Sequence, residues 1–404
     1  MSQWEMLGER AGRMPVLRRV AVRDRDKKRE IDLRSVPLVD DPFAVVDDPD
    51  VAIVVEVMGG TQLAGEVVQR ALTAGKTVVT ANKALIAADG PRLWEVAAQH
   101  SAGLWFEGAV GGGLPVVALL RASLRGDIVH GLDAVINGTT NVILTRMRNS
   151  GVSLQTALAE AQRRGYAETD PISDVDGWDA AYKLVILSWL AFGCHVDVNT
   201  VDRRGIGDLD RVDLAYLGQL GYTVKLLAHA ENREGGLHLR VRPTAIPDTH
   251  PLFDVDDSDN AVIITGDLVD TVMLRGLGAG GLSTASAVVS DIVNAALAGD
   301  SQPGPPPLTE RPLLDADRIE TAGYIRLHVS DDADAQALVL QALDDRGIPV
   351  VGAEEKPPPD GPHPQLLVLT GLASRAMHDR ALDTLDSLTV VHEISSAMDR
   401  LEPS

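Results

Sequence analysis

Residues 165–184, GYAETDPISDVDGWDAAYKL, gather Glu168, Asp170, Asp174, Asp176 and Asp179 in one short polar run and set Lys183 a helical turn beyond the last of them. On a helix, Asp179 and Lys183 share a face. A surface ion pair at that spacing is common and contributes little. Here, however, the continuation AAYKLVILSWLAFG is apolar nearly all round, the pattern of a buried helix. A lysine near the start of a buried helix must be paired or must lower its pKa, and either condition suits a proton donor or acceptor. The carboxylates supply the partners, with Glu168 reaching them through a turn-rich loop that contains Asp170-Pro171 and Gly177.

The elements that position such a site begin upstream. Residues 16–115 alternate β-branched runs (VLRRVAVRD, VAIVVEVMGG, KTVVTANK) with helical ones (TQLAGEVVQRALTAG, RLWEVAAQHSA) and end on LWFEGAVGGG. This pattern predicts α/β architecture with a doubly wound parallel sheet, in which runs such as Val51–Val57 are buried on both faces. Ligands on such sheets bind beyond the carboxyl ends of the strands. That rule singles out Gly59-Gly60-Thr61, Ala81-Asn82-Lys83 and the loop from Glu107 to Leu114. Lys83 reads either as a ligand-side group or as a solvated lysine opening a helix. Asn137-Gly138-Thr139-Thr140 offers small polar groups at a strand end, and a helix N-cap by Thr139 or Thr140 reads equally well. The glycines of EGAVGGGLP allow carbonyl oxygens to turn inward around a hard cation, or a close crossing over a helix. Cys194 and His195, adjacent at the end of the apolar helix, point in different directions and read as packing residues.

Residues 116 to about 285 mix strands (GLDAVINGTT, AVIITGDLV, TVMLRGLGAG) with helices at 153–164, 179–192 and 213–230, a second, α+β domain. A helix at 284–298 returns to the first domain. SQPGPPPLTERP then forms a stiff, extended linker, and 319–404 follows a βαββαβ, ferredoxin-like order. The expected division is 1–115, 116–300, a linker at 301–318, and 319–404.

Composition limits the partners. A chain of 404 residues, 45% hydrophobic and 24% charged, carries two or three soluble domains. A net charge of -21 opposes non-specific attraction to nucleic acid or anionic membrane. Cys194 is the single cysteine, and neither CxxC nor HExxH spacing is present to hold zinc. No apolar run is read as spanning a bilayer and no secretory signal is read at the start, so a cytoplasmic protein with small-molecule ligands is expected.

The full spacing A-x3-G-Y-A-x2-D-P-x2-D-V-x-G-x-D-x3-K, from Ala161 to Lys183, resembles the signature of homoserine dehydrogenase. VEVMGGT (55–61), VVTANKALIA (78–87), FEGAVGGGLPV (106–116), NGTTNVILTRM (137–147) and GAGGLSTASAVVSDI (278–292) agree in order, so the resemblance covers essentially the whole chain. It implies reversible hydride transfer between NADP or NAD and L-aspartate 4-semialdehyde, giving L-homoserine on the path to threonine and methionine. It further implies that Lys183 is the general acid toward the aldehyde oxygen, that Asp179 orients that lysine and the substrate, and that Glu168 and Thr139 bind substrate. Lys83 would lie between nicotinamide and substrate, with Thr80 and Gly280 at the cofactor. A sodium ion would be held by Glu107 and the carbonyls of Val110, Gly112 and Leu114. The C-terminal segment resembles the ACT module of many members, and a homodimer or higher homo-oligomer is expected.

Three departures qualify these expectations. A dinucleotide fold opens with a strand, GxGxxG and a helix, whereas WEMLGERAG reads as the tail of that helix. The chain is therefore expected to begin inside the nucleotide-binding unit, through truncation or a misplaced start, with weak or absent cofactor binding if Met1 is the true start. Arg23 stands where an acidic residue would hold the ribose of NAD, which favours NADP. In the C-terminal module, Ala333 and Asp334 replace the proline and glycine of the amino-acid-binding turn, so a subunit-contact role is expected rather than threonine feedback. The competing readings are a catalytically silent homologue lacking the phosphate loop, and aspartate-semialdehyde dehydrogenase. The latter needs a cysteine nucleophile, which Cys194 in an apolar helix does not provide.

Overall fold

A computed structural model describes residues 3–29, 31–33, 35–278, 280–298, 304–357 and 363–403. The first part of the chain forms α1 (Gln3–Arg10), β1 (Val20–Ala21), β2 (Leu38–Val39), α2 (Phe43–Val46), β3 (Ile53–Glu56), α3 (Gln62–Thr73), β4 (Thr77–Thr80), α4 (Lys83–Gln99), β5 (Leu104–Trp105) and α5 (Val116–Ala118). Then come β6 (Val129–Val135), α6 (Gly138–Ser150), α7 (Leu154–Arg163), α8 (Ile172–Val175), α9 (Trp178–Phe192), β7 (Asp202–Arg203), α10 (Arg211–Gln219), β8 (Tyr222–Arg233), β9 (Gly236–Pro247), β10 (Asp259–Gly266) and β11 (Asp270–Leu277). The last elements are α11 (Gly281–Ala298), β12 (Glu320–Val329), α12 (Ala335–Asp344), β13 (Val350–Lys356), β14 (Gln365–Ser374), α13 (Arg375–Asp386) and β15 (Val391–Arg400).

Two compact units result. Met1–Val129, Tyr182–Thr200 and Gly276–Glu310 make the first; His130–Ala181, Val201–Arg275 and Arg311–Ser404 make the second. Helix α9 is divided between them, its first turn counted with the second unit and its remainder with the first.

The first unit contains a parallel sheet in the order β3-β4-β5, with Ile53 opposite Thr77 and Val78 opposite Leu104. Helices α3 and α4 are its crossovers. In α3 the buried positions Ala64, Val67, Val68, Ala71 and Leu72 recur at helical spacing, which is why this run is a helix and not a strand. Two expectations fail here. Of VLRRVAVRD only Val20 and Ala21 are in a strand, paired with Leu38 and Val39 in a separate two-stranded sheet. Val51–Val57 is not buried on both faces: β3 is an edge strand, and Val55 and Val57 are 42% and 66% exposed.

Helix α11 belongs to the same unit and presents Ala287, Asp291 and Ala295 to its interior at four-residue spacing. Its length and mean hydropathy of 1.3 suffice to cross a membrane, contrary to the sequence reading that no run does so. The Asp291 carboxylate near its centre accepts the Glu107 N–H, which ties the helix to the glycine loop of the same unit.

The second unit is built on one mostly antiparallel ten-stranded sheet among the described residues, β11-β10-β6-β8-β9-β15-β12-β14-β13, with β7 joined to β9. The helix expected at 213–230 stops at Gln219. Gly221, at φ 80°, turns the chain into β8, whose nearly continuous apolar face pattern arises from burial on both sides. Strand β9 was not anticipated at all. The 319–404 segment has βαββαβ element order, with strands running fourth-first-third-second across the sheet. It is not a tethered module, because β15 pairs in parallel with β9, Asp399 opposite Thr244 and Arg400 opposite Ala245. The proline-rich segment before it is also anchored. Thr309 N–H donates to Gly193 O at 2.9 Å in the first unit, and Leu237 exchanges bonds with Pro312 and Leu314 in the second. Residues 301–303 of that linker and 358–362 of the turn before β14 lie outside the described residues.

Candidate functional site

In the second unit β6 ends at Val135, and Asn137 then caps α6. Its Oδ1 accepts the Thr140 N–H at 2.7 Å, so the cap is Asn137 and not Thr139 or Thr140 as the sequence allowed. Both amide protons are also used. Nδ2 donates to Asp174 Oδ1 at 2.7 Å and to Asp179 Oδ2 at 2.8 Å. Asn137 and Asp179 are buried, at 4% and 5% exposure. One amide thus fixes two carboxylates of the acidic run at the start of α9. Lys183 follows one turn along the same helix and is 9% exposed.

The remaining members of the run divide by role. Asp170 Oδ1 accepts the Ile172 N–H at 3.2 Å and serves its own turn. Asp176 receives Arg203 on its carbonyl, while the Arg203 guanidinium lies 3.6 Å from the Trp178 ring centroid. Glu168 is exposed, and its carbonyl accepts from Gln162 Nε2 at 3.1 Å. Thr139 Oγ1 donates to Tyr166 O at 2.9 Å, which ties the start of α6 to this loop.

The loop also rests on glycine. A Cβ at Gly205 would overlap the Val175 carbonyl and lie 2.6 Å from Asp176 Cα. A Gly205→Ala variant is therefore expected to push the 174–179 segment out of place and to lower kcat/KM for the physiological substrate by at least ~10-fold, about 1.4 kcal/mol of lost positioning. Circular dichroism and steady-state kinetics check it; wild-type kinetics would show that the loop position is immaterial.

In the first unit Thr80 at the end of β4 is fully buried. Its hydroxyl donates to Glu56 Oε2 at 2.6 Å and accepts the Asn82 N–H at 3.0 Å. It holds the turn that follows β4. Asn82 caps α4 through the Leu85 N–H and donates to Gly60 O at 2.6 Å, linking the ends of β3 and β4. Lys83, half-buried, is the first residue of α4. Gly59 and Gly60 have φ of 75° and 72°, and a Cβ on either would meet nothing within 4 Å. An open backbone at the carboxyl ends of parallel strands fits a dinucleotide. Arg23 is exposed, whereas the Asp24 carboxylate accepts the N–H groups of Asp26 and Lys27 at 2.9 and 3.1 Å. Gly280 has φ 121° and its carbonyl accepts from Ser283 Oγ and the Thr284 N–H, so it forms the entry to α11.

The glycine loop is organised around Glu107. Its carboxylate accepts the Val117 and Ala118 N–H groups at 2.9 and 2.7 Å, and its own N–H goes to Asp291 Oδ2 at 2.8 Å. Burial pushes Glu107 up to about 7 against the pull of those N–H groups, and Asp291 up to about 6. Arg121, pushed down to about 10 by burial, lies over Trp94, Phe106 and Trp105 at 4.6, 5.4 and 5.7 Å. Gly111 and Gly112 have φ of 75° and 58°. The buried carbonyls of Val110 and Gly112 accept no backbone hydrogen bond among the described residues, while that of Leu114 accepts the Val116 N–H at 2.8 Å. Such an oxygen set fits a hard monovalent cation. Glu56, Asp291 and Arg121 were not singled out from sequence, and the lone acid in apolar α11 was the available signal for Asp291.

Cys194 is buried, with Sγ 3.2 Å from Thr309 Oγ1, and His195 Nε2 lies 2.6 Å from Ala87 O. Neither is a nucleophile in this setting.

Comparison with known proteins identifies the family. Residues 6–107 match the family model described as homoserine dehydrogenase, NAD binding domain, and residues 115–293 match homoserine dehydrogenase. The homoserine dehydrogenase of Synechocystis sp. is 45% identical over 299 residues, covering 72% of this chain and 69% of that one. That of Pseudomonas aeruginosa is 37% identical, covering 98% of this chain and 93% of its own. The crystal structure of a homoserine dehydrogenase from Thiobacillus denitrificans superposes with a TM-score of 0.92 at 36% identity, covering 100% of this chain and 94% of that one. With relatives this similar along nearly its whole length, the chain belongs to the homoserine dehydrogenase family.

Proposed function

We propose that Lys183 is the general acid and base of the reaction and that Asp179, held by Asn137, orients both the lysine and the substrate. As a homoserine dehydrogenase the chain is an NAD(P)-dependent oxidoreductase acting on a CH–OH group, interconverting L-homoserine and L-aspartate 4-semialdehyde in amino-acid biosynthesis. The observation that carries the residue assignment is the Asn137 amide fixing Asp174 and Asp179 one turn before a buried lysine.

The nicotinamide, when bound, supplies or takes up the hydride. As the carbonyl oxygen gains negative charge in reduction, the Lys183 ammonium donates a proton to it; in oxidation the amine accepts that proton back. Asp179 orients the substrate and Glu168 meets its amino group or hydroxyl, with Thr139 holding the loop that carries Glu168. Lys83, Arg23 and the Gly280 turn serve the cofactor, and Thr80 acts through the turn it braces. Arg23 favours NADP, since its neighbour Asp24 is committed to its own turn. The carbonyls of Val110, Gly112 and Leu114, with Glu107, would hold a sodium ion that stiffens the loop before α5.

Residues 1–115 are assigned to nucleotide binding, 116–300 to catalysis, and 319–404 to an ACT-like module that contacts a second subunit of a homodimer or larger homo-oligomer. The strand order of that module supports its ACT-like reading. Its turn at Ala333 and Asp334 lacks the glycine and proline of an effector site. The cytoplasm is the compartment we assign.

The test is NADP-dependent oxidation of L-homoserine by the purified chain, with NADPH titration alongside. Glu168→Gln is expected to raise KM for homoserine by ~10-fold or more with a smaller change in kcat, as loss of a charged hydrogen bond demands. Failure to bind NADPH at millimolar concentration would instead establish the silent homologue.

A further inference from the structure

The hairpin β8–β9 carries a cluster outside the residues discussed above. Residues His229 and Glu231, two apart on β8, share a face of the sheet, and the register sets His238 of β9 directly opposite Glu231. One ligand-type atom from each, imidazole nitrogen or carboxylate oxygen, lies within 4.8 Å of the others. Asp133 of β6 stands opposite His229, and its Oδ1 is 2.8 Å from His229 Nδ1. This leaves His229 Nε2 pointing toward Glu231, with Oε2 3.6 Å away. The His229 and His238 rings meet edge to face at 5.1 Å.

The independent observation is His238. It is 5% exposed, and its Nε2 has no hydrogen-bond partner. A buried polar atom left unpaired costs about 1–3 kcal/mol, so a ligand that takes up that lone pair is favoured. Without one, Asp133, His229, Glu231 and Arg233 form a closed ionic chain that makes no use of His238, with Arg233 Nε on Glu231 Oε2 at 2.7 Å.

We propose that His229, Glu231 and His238 bind a divalent transition-metal ion, zinc by preference, as a staple across β8 and β9. Two imidazoles and one carboxylate are a borderline-soft set suited to zinc, with water completing the tetrahedron. The Asp133–His229 bond supplies the carboxylate behind a ligating imidazole that orients the ring and raises its basicity. Ligand atoms around a tetrahedral ion at ~2.1 Å sit roughly 3.4 Å apart, so the cluster closes slightly on binding, and Arg233, which is 39% exposed, swings away. Arg240, opposite His229, does not compete for the carboxylate, because its guanidinium is paired with Asp399. The pattern H-x-E-x6-H is invisible to helical metal motifs, since its third member arrives across strands and not along one.

The experiment uses the full chain, freed of any affinity tag and stripped with chelator, titrated with Zn²⁺ by calorimetry and with Co²⁺ by visible absorption. One ion per chain is expected, with a raised Tm and tetrahedral cobalt bands. Asp133→Asn should weaken binding roughly 10–100-fold, and Glu231→Gln or His238→Gln should weaken it further. His392→Ala, which breaks the surface pair of His363 and His392 at 4.0 Å, should change nothing. No zinc bound by the wild type, or binding that Glu231→Gln leaves intact, overturns the proposal. If His238→Gln does not fold, Glu231→Gln decides alone, because Glu231 is 28% exposed and its replacement removes no core volume.

Discussion

Lys183→Ala is expected to reduce kcat for homoserine oxidation by roughly 10²–10⁴, the range of a lost general acid–base group. Lys183 is 9% exposed near the start of a helix that runs on through Leu184, Val185, Ile186 and Leu187, all fully buried. Alanine keeps the helix, so far-ultraviolet circular dichroism should not change. The loss should fall on kcat more than on KM, because proton donation counts only as the alkoxide forms. Lys183→Arg, which keeps the charge but donates its proton poorly at neutral pH, should not restore activity. A Lys183→Ala enzyme with near wild-type kcat would remove the lysine from the mechanism. If Asn137→Ala were found to lose activity while Lys183→Ala did not, the carboxylates alone would be implicated.

The largest stability effect should come from Asp213 in α10. Its carboxylate receives Arg326 Nε at 2.6 Å and Nη2 at 3.1 Å, together with the Tyr324 hydroxyl at 3.0 Å. Asp213 and Tyr324 are fully buried and Arg326 is 3% exposed. Burial together with the neighbouring carboxylate raises the Tyr324 phenol far above its ordinary range, so it acts as a donor throughout. Removing the acid leaves the buried guanidinium with only the exposed Asp210, whose Oδ2 is 3.5 Å from Nη2, and Asp213→Ala should cost about 3–5 kcal/mol. On a unit of this size that lowers Tm by on the order of 10 °C. Replacing both partners, Asp213→Leu with Arg326→Met, should recover most of it, since the penalty lies in the unpaired charge. If the single variant unfolds with wild-type Tm, the pair contributes nothing net.

Where a stretch was locally self-consistent, its structure was legible in the sequence. The spacing of Ala64, Val67, Val68, Ala71 and Leu72 defines α3 without reference to anything else. The acidic run was likewise conspicuous by type and interval, and Asn137 holds two of its carboxylates. The misreading of 213–230 has a tertiary cause: β8 is buried on both faces, so its apolar run lacks the alternation that separates a strand from a buried helix. Strand β9 does carry that alternation, Leu237, Leu239 and Val241 against His238, Arg240 and Arg242, and was legible but not read. The role of Asn137 was hidden. Its cap is a local property, but its two carboxylate partners lie 37 and 42 residues away.

The seam between β9 and β15 has a consequence for how the polypeptide emerges from the ribosome. Part of β9, around Thr244 and Ala245, finds its lateral neighbour only when Asp399 and Arg400 have been synthesised. Until then a hydrophobic strand border stands open through the translation of roughly 150 residues, at ~5–20 residues per second. Such borders recruit unwanted strands. The nascent chain is thus exposed to aggregation throughout that interval, and slowing translation between the codons of β9 and β15 should lower soluble yield more than the same pause placed earlier.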